Sequence, residues 1–395
     1  MNTLLVAATS ALLFVAPFAG SAGLRATLLF IIAGALAWQA RSLRAAWDAA
    51  PRPVVFAFAA WVVLALASLA WSADRGYTLG ELRAEVLYAT LALAGYFLAA
   101  FQDGSRWRLW SRALVAGAAT MACWFLVQEL LPFTLPKHTL LEQRGPWSTH
   151  LVMVAPVLLV LCGPAPWGEG RRATVQAIAL AALLAAAWAT GNRVIWLALA
   201  VQLVVVMALA RNVRRLALAA TLAVTLAFAA SLHEHNERFF GGEAPLATSF
   251  ERDLRPKIWS AAMDRILEAP WLGHGYGREI VAGSFAPLTP PKYPELRHAH
   301  NVFLDVAIEL GVVGLAVFVA LLVALAREYR ACLARPGLVA LGVMGLALLA
   351  GFVVKSLTDD FLYRHNALVF WALNGILLGL ARTPRPPPRE ATEPQ

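Results

Sequence analysis

Residues 301–326 read NVFLDVAIELGVVGLAVFVALLVALA, an apolar run in which the only charges are the carboxylates of Asp305 and Glu309. About 20 such residues in a helix span a bilayer, because a rise of about 1.5 Å per residue then covers hydrocarbon about 30 Å thick. The run reads as a membrane span from Val302 to Ala326. Comparable runs recur at roughly 3–20, 24–40, 53–71, 84–101, 112–131, 149–163, 173–190, 193–210, 214–231, 337–356 and 365–381. With 301–326 as the tenth, these predict an all-α polytopic membrane bundle of about twelve spans, since a helix satisfies its own backbone polar groups in lipid. The first run, Leu4 to Gly20, has no basic segment before it and is followed at once by another run, so it reads as a retained span and not a cleaved signal.

Composition agrees. The chain is 60% hydrophobic and 14% charged, a balance foreign to a soluble domain of 395 residues. The net charge of +9 does not point to nucleic acid, because the basic residues are scattered through short loops with no basic stripe interleaved with aromatics. Cys123, Cys162 and Cys332 show no metal-ligand spacing, so neither a disulfide framework nor a zinc site is expected, and no cofactor is implied.

An even number of spans places both termini on one side. The tail carries Arg382, Arg385 and Arg389, and alternate loops carry Arg41, Arg44 and Arg52, then Arg106, Arg108 and Arg112, then Arg171 and Arg172, then Arg211, Arg214 and Arg215, then Arg327, Arg330 and Arg335. Basic loops stay in the cytoplasm, so both termini are expected there in a bacterial inner membrane, with the long loop facing the periplasm. The expected organisation is spans one to nine over 1–231, a periplasmic loop over 232–299, spans ten to twelve over 300–381, and a disordered cytoplasmic tail, rich in Pro, Arg and Glu, over 382–395. Within the loop, Phe250, Leu254, Ile258, Ala262 and Ile266 recur at helical spacing, which predicts a surface helix from Pro256 to Leu267, stopped before Pro270. Its stripe and Trp259 suit either the headgroup boundary or packing on the loop itself.

Basic groups collect on the periplasmic side, where the charge bias should exclude them: Lys137, His138 and Arg144 after the fifth span, Arg193 before the eighth, and Arg255, His298 and His300 in the long loop. Charges near lipid are expensive and face cavities or partners, so these are candidates for an anion site. Arg193 stands at the N-terminal end of a helix, where the dipole disfavours a cation unless an anion is also present. Arg255 is similarly placed and, preceding Pro256, is expected to be extended. Arg144 either joins the site or pairs with Glu142.

His298-Ala299-His300-Asn301 stands directly before the tenth span, with Asp305 and Glu309 following at helical spacing. The helix N-terminus favours a neutral imidazole available as a base, whereas Asp305 opposes that, and the sequence leaves the balance open. His-x-His without a further ligand at suitable spacing is a weak metal signal, and no Asp-x-Asp pair is available to hold a sugar-diphosphate metal. Lys355, Asp359, Asp360 and Arg364, between the last spans, either line the cavity or pair with each other. Arginines and a histidine without a metal suit a lipid-linked sugar diphosphate, because guanidinium groups neutralise the leaving diphosphate while a base takes a hydroxyl proton. A transporter of an anion is the alternative from a different class, but the apolar runs hold few midplane polar groups, mainly Gln128, Glu129 and Gln202.

The motifs narrow this further. His300-Asn301-Val302-Phe303-Leu304 with Glu309-Leu310-Gly311-Val312-Val313-Gly314-Leu315 resembles a signature of the O-antigen ligase and polymerase superfamily. Arg255-x-x-x-Trp259 followed by Pro270-x-x-Gly273-x-Gly275-x-Gly277 is similar to its long-loop motif, and Thr190-Gly191-Asn192-Arg193 to its Thr-x-Ser-Arg turn, with Asn192 where Ser is frequent. The resemblance implies a GT-C-like membrane glycosyltransferase. It further implies undecaprenyl-diphosphate-linked O-antigen as donor, lipid A-core oligosaccharide as acceptor, and a metal-independent, inverting transfer in the periplasm. By motif position Arg193 and Arg255 would bind the diphosphate, with Arg144, His298 and Asn301 near the substrates, and His300 would sit at the acceptor hydroxyl. Asp305, Glu309, Lys137 and Trp259 would support them. O-antigen polymerase uses the same kind of site and is the nearest alternative, protein O-oligosaccharyltransferase, whose members usually have a larger C-terminal periplasmic part, is a further one, and a lipid-linked glycan flippase is the rival from another class.

Overall fold

The computed structural model describes residues 2–130, 144–161, 178, 181–210, 218, 220–230, 254–289, 296–359 and 361–384. Among these there is helix and no strand, and each of the twelve apolar runs contributes helix where it is described, broken only by short turns at its ends. The helices are α1 (Asn2–Val15), α2 (Ala22–Trp38), α3 (Ala40–Ala49), α4 (Arg52–Ala67), α5 (Arg75–Glu81), α6 (Tyr88–Gln102), α7 (Trp107–Leu130) and α8 (Arg144–Leu161), then α9 (181–189), α10 (Val194–Leu209), α11 (Ala220–Ala230), α12 (Arg255–Glu268), α13 (Val302–Leu333), α14 (Val339–Ser356) and α15 (His365–Arg382). Four described stretches, Arg52–Ala70, Arg75–Gln102, Val302–Leu333 and Val339–Ser356, are long and apolar enough to cross a bilayer, and shorter apolar helices lie between and before them. The chain is a multi-pass membrane protein.

Small residues let the helices approach, as lipid-embedded packing requires. The side chain that Gly375 lacks would meet the Leu93 carbonyl oxygen at 2.5 Å, and that of Gly379 the Phe97 carbonyl oxygen at 2.5 Å, so α15 lies close along α6. Gln202 of α10 donates to the Val152 carbonyl at 2.8 Å, and Gly351 of α14 leaves room for its amide. These contacts tie α8, α10 and α14 together beneath the ends that carry the charged residues.

The tenth span differs from its expectation. At Gly311 the backbone takes φ 67°, ψ −169°, which divides α13 into 302–310 and 312–333. The second part, at about 1.5 Å per residue, is about 33 Å long and matches one bilayer thickness by itself. Asp305 and Glu309 therefore belong to a separate short helix rather than to the crossing segment.

The long loop repairs this break. His274 and Gly275 donate their amides to the carbonyls of Ile308 and Glu309 at 2.9 and 3.0 Å, while the amides of Val312 and Val313 reach the carbonyls of Pro270 and Trp271 at 2.8 and 3.3 Å. Both sets of groups orphaned by a helix end are satisfied by one segment. Such close approach excludes side chains: a Cβ on Gly311 would lie 2.2 Å from the Trp271 carbonyl, and one on Gly273 would lie 2.5 Å from the Glu309 carbonyl. The same segment is held from its other side by the turn after α4, through Ala73 to the His274 carbonyl at 2.8 Å and Tyr276 to the Ser68 hydroxyl at 3.0 Å.

The predicted loop helix is present as α12, starting at Arg255 and not after it, so Arg255 is helical instead of extended. Ile258, Ala262 and Ile266 are buried against Phe285, Ala307 and Ile308, so this stripe packs on protein and not on the headgroup boundary. Phe250 lies outside the described residues.

Candidate functional site

Several chain segments converge at one end of the bundle, and hydrogen bonds fix them there. The Thr190–Arg193 turn closes with Gly191 at φ 65° and the Thr190 hydroxyl accepting the Asn192 amide at 3.2 Å. Asn192 then does two jobs. Its Oδ1 accepts the Val194 amide at 3.0 Å, capping α10, and its Nδ2 donates to Asp359 Oδ2 at 3.2 Å. Asp359 also receives Nζ of Lys355, a side chain that is fully buried. The paired alternative for Lys355 and Asp359 is therefore the observed one, with the Arg193 turn tied to it, while Asp360 lies outside the described residues. Arg193 is delivered at the N-cap position of α10, as the sequence predicted.

The histidine segment is fastened on three sides. Asn301 caps α13, its Oδ1 accepting the amides of Phe303 and Leu304 at 3.0 and 3.3 Å, and its Nδ2 donates to the Leu357 carbonyl at 3.1 Å, next to Asp359 in the chain. Asp305 Oδ1 accepts the Ala299 amide at 2.8 Å. His298 Nδ1 accepts the His300 amide at 3.1 Å and lies 3.7 Å from Asp305 Oδ2. Together these hold His300 at φ 51°, a conformation uncommon for a residue with a side chain and one that concentrates at functional sites. The two imidazole rings are tilted 47° to one another with centroids 4.1 Å apart.

Electrostatics settles the balance left open above. The imidazole of His300 is pushed down to about 4, first by burial, then by the neighbouring His298 and the charge of Arg255, against the opposing pull of Asp359 and Asp305. The ring is neutral at neutral pH, and the main cause is loss of water. The charges of Arg255 and Asp359 both act on the His300 ring. Trp259, one turn on from Arg255, donates its Nε1 to the Ala299 carbonyl at 3.2 Å and so connects α12 to the histidine segment.

A second group, of which the sequence singled out Asp305, Glu309 and Arg364 but not Arg278, Glu81 or Glu85, lies beside the first. Arg278 follows the last glycine of the loop motif; its guanidinium stacks 3.3 Å above the Tyr363 ring and its Nη1 lies 3.4 Å from His298 Nε2. Arg278 thus brings positive charge to the edge of the His298 ring. Arg364, itself at φ 51°, bonds Glu81 at 2.7 Å, where the chain passes from α5 into a π-helix over Leu82–Leu87. Glu85, Asp305 and Glu309 share a cavity of about 40 Å³ with Tyr276 and Arg278. The available signal was Arg278 itself, a cation straight after a run of glycines; the two glutamates of α5 and the π-helix gave none.

The Arg144 main chain opens α8, whereas Lys137 and His138 lie outside the described residues. Among the described residues, no three His, Cys, Asp or Glu side chains gather in a way that would hold a metal ion.

The elements that converge here, from the Arg193 turn through Arg255 and His300 to the break at Gly311, fall within one region recognised by comparison with known families. Residues 178–319 match the O-antigen ligase family model. The superfamily resemblance carried by the motifs is borne out. A stretch of 70 residues is also 39% identical to the O-antigen ligase of Pseudomonas aeruginosa, covering 17% of this chain and 16% of that protein. Lys355, Asp359 and Arg364 lie beyond the matched O-antigen ligase region and enter the site through the fold.

Proposed function

We propose that this chain is an O-antigen ligase, a glycosyltransferase of the bacterial inner membrane that moves O-polysaccharide from undecaprenyl diphosphate to lipid A-core oligosaccharide at the periplasmic face. What supports this reading is that the Arg193 turn, Arg255 and the neutral His300 all fall inside the O-antigen ligase match, with Asn192 tying the Arg193 turn to Asp359, whose charge His300 feels. In this reading Arg193 and Arg255 grip the diphosphate and stabilise the charge that grows as it leaves. His300 removes the proton of the acceptor hydroxyl, or orients it, while the hydroxyl oxygen attacks the sugar carbon opposite the departing phosphate, inverting that centre. The buried Lys355–Asp359 pair holds the Asn192 strap, and with it the turn that presents Arg193.

Purified chain given lipid-linked polysaccharide and core acceptor is expected to join them without added divalent cation. Transfer that appears only on adding metal would overturn the arginine-based mechanism. Deletion in the parent bacterium separates the relatives: loss of all long-chain lipopolysaccharide with lipid-linked polymer accumulating marks a ligase, whereas core bearing a single repeat marks a polymerase. Lipopolysaccharide of normal length with an unglycosylated protein marks a protein O-oligosaccharyltransferase.

A further inference from the structure

The helix that carries Arg255 has a second apolar edge that the function above does not use. Ile258, Ala262 and Ile266 face protein, but Met263 and Leu267, four residues apart on an adjacent face, are 46% and 69% exposed, and Trp271 and Leu272 just beyond the helix are 71% and 44% exposed. The exposed charges Lys257, Asp264 and Glu268 occupy the remaining side of the helix. Three strips therefore run along α12: one against the protein, one apolar and uncovered, one charged.

The uncovered strip has a fixed depth. Trp271 accepts the Val313 amide through its carbonyl at 3.3 Å, and Pro270 accepts that of Val312 at 2.8 Å. Val312 and Val313 begin the crossing part of α13 and are themselves 47% and 40% exposed, on a surface that continues through exposed Val319 and Val323 along the span. On a segment one bilayer long, exposed valines of this kind meet hydrocarbon when it crosses the membrane. The exposed loop edge is continuous with it at its upper end, where hydrocarbon gives way to headgroups.

We infer that Met263, Leu267, Trp271 and Leu272 insert into the outer boundary of the bilayer, with phospholipid as the partner, so that α12 lies in the membrane plane with its charged strip toward water. A helix with an exposed apolar edge beside a charged one suits binding at the bilayer boundary, and an exposed tryptophan suits that depth. Arg255 is thereby held at headgroup level. The inference stands on burial and hydrogen bonding alone and does not require the transferase reading.

The test uses the full chain in phosphatidylethanolamine–phosphatidylglycerol vesicles, with Cys123, Cys162 and Cys332 replaced by Ala and a nitroxide attached at Leu267→Cys, Leu272→Cys or Asp264→Cys. Labels at 267 and 272 are expected to collide several-fold more with dissolved oxygen than with a water-soluble nickel chelate, and the label at 264 is expected to show the reverse. Equal access of the chelate to all three overturns the insertion. Shielding of 267 and 272 from both reagents, or spin–spin broadening between copies, overturns it in favour of a protein partner. As a check free of added labels, lipids brominated near the glycerol end should quench the unaltered chain more than Trp271→Phe; equal quenching counts against insertion.

Discussion

His300 has lost the water that would stabilise its charged form, and this has a signed consequence. Its ring is pushed from 6.5 to about 4. Between those values the unfolded chain binds a proton that the folded chain refuses, so this residue makes stability fall as pH drops from about 6.5 to about 4, by on the order of 3 kcal/mol in all, and contributes nothing above that window. Chemical denaturation of wild type and His300→Gln across that range should show the wild-type slope and its loss in the variant. For the same reason, the acid limb of kcat/KM for polysaccharide transfer is expected near pH 4, not near 6.5, if His300 is the base; a limb at 6.5 assigns the proton to another group. Arg193→Ala and Arg255→Ala should abolish transfer while leaving the helical signal intact, since losing one charged contact to a desolvated phosphate weakens binding by about 2–5 kcal/mol. Transfer within tenfold of wild type for either variant would remove it from the diphosphate site.

At the scale of elements, the break in α13 was hidden in the sequence by its own composition. The run from Val302 onward is apolar apart from Asp305 and Glu309, and Gly311 in such a run reads as an ordinary small residue. Its meaning depends on Pro270–Gly275, some forty positions earlier, and no local pattern reports that pairing. The motif halves Pro270-x-x-Gly273-x-Gly275 and Glu309-Leu310-Gly311 were both recognised, but as two signatures rather than two sides of one junction. Gly311→Ala would force a side chain into φ 67° against the Trp271 carbonyl, so it is expected to destabilise by more than about 2 kcal/mol. The double variant with Gly273→Ala should fall well short of the sum of the two effects, because either one opens the same junction. Thermal unfolding in detergent measures both. The helix α12 was legible nearly to the residue because its periodicity is local, while the partner of its buried stripe was not.

For the whole molecule, hydropathy made the all-helical membrane class plain, because the requirement that lipid places on the backbone is written residue by residue. The arginines and histidines were legible as oddities of charge against an apolar background. Their assembly was not, since Asn192 to Asp359 and Arg364 to Glu81 are contacts across the bundle between residues that no spacing connects. Sidedness belongs to this scale too. Reporter fusions after Arg193 and after Asn301 should both report the periplasm, and fusions after Arg335 the cytoplasm; a cytoplasmic signal at either of the first two would separate the charged cluster from a periplasmic donor.

The junction at Gly311 also makes a built-in clock. Deep in an ordinary helix an amide exchanges its hydrogen only when that helix frays, but Val312 and Val313 are protected by carbonyls of the loop. Deuterium uptake at those two positions therefore times how often the loop lifts away from the span, and a ligand that clamps the loop should slow it while neighbouring amides deeper in α13 keep their own pace.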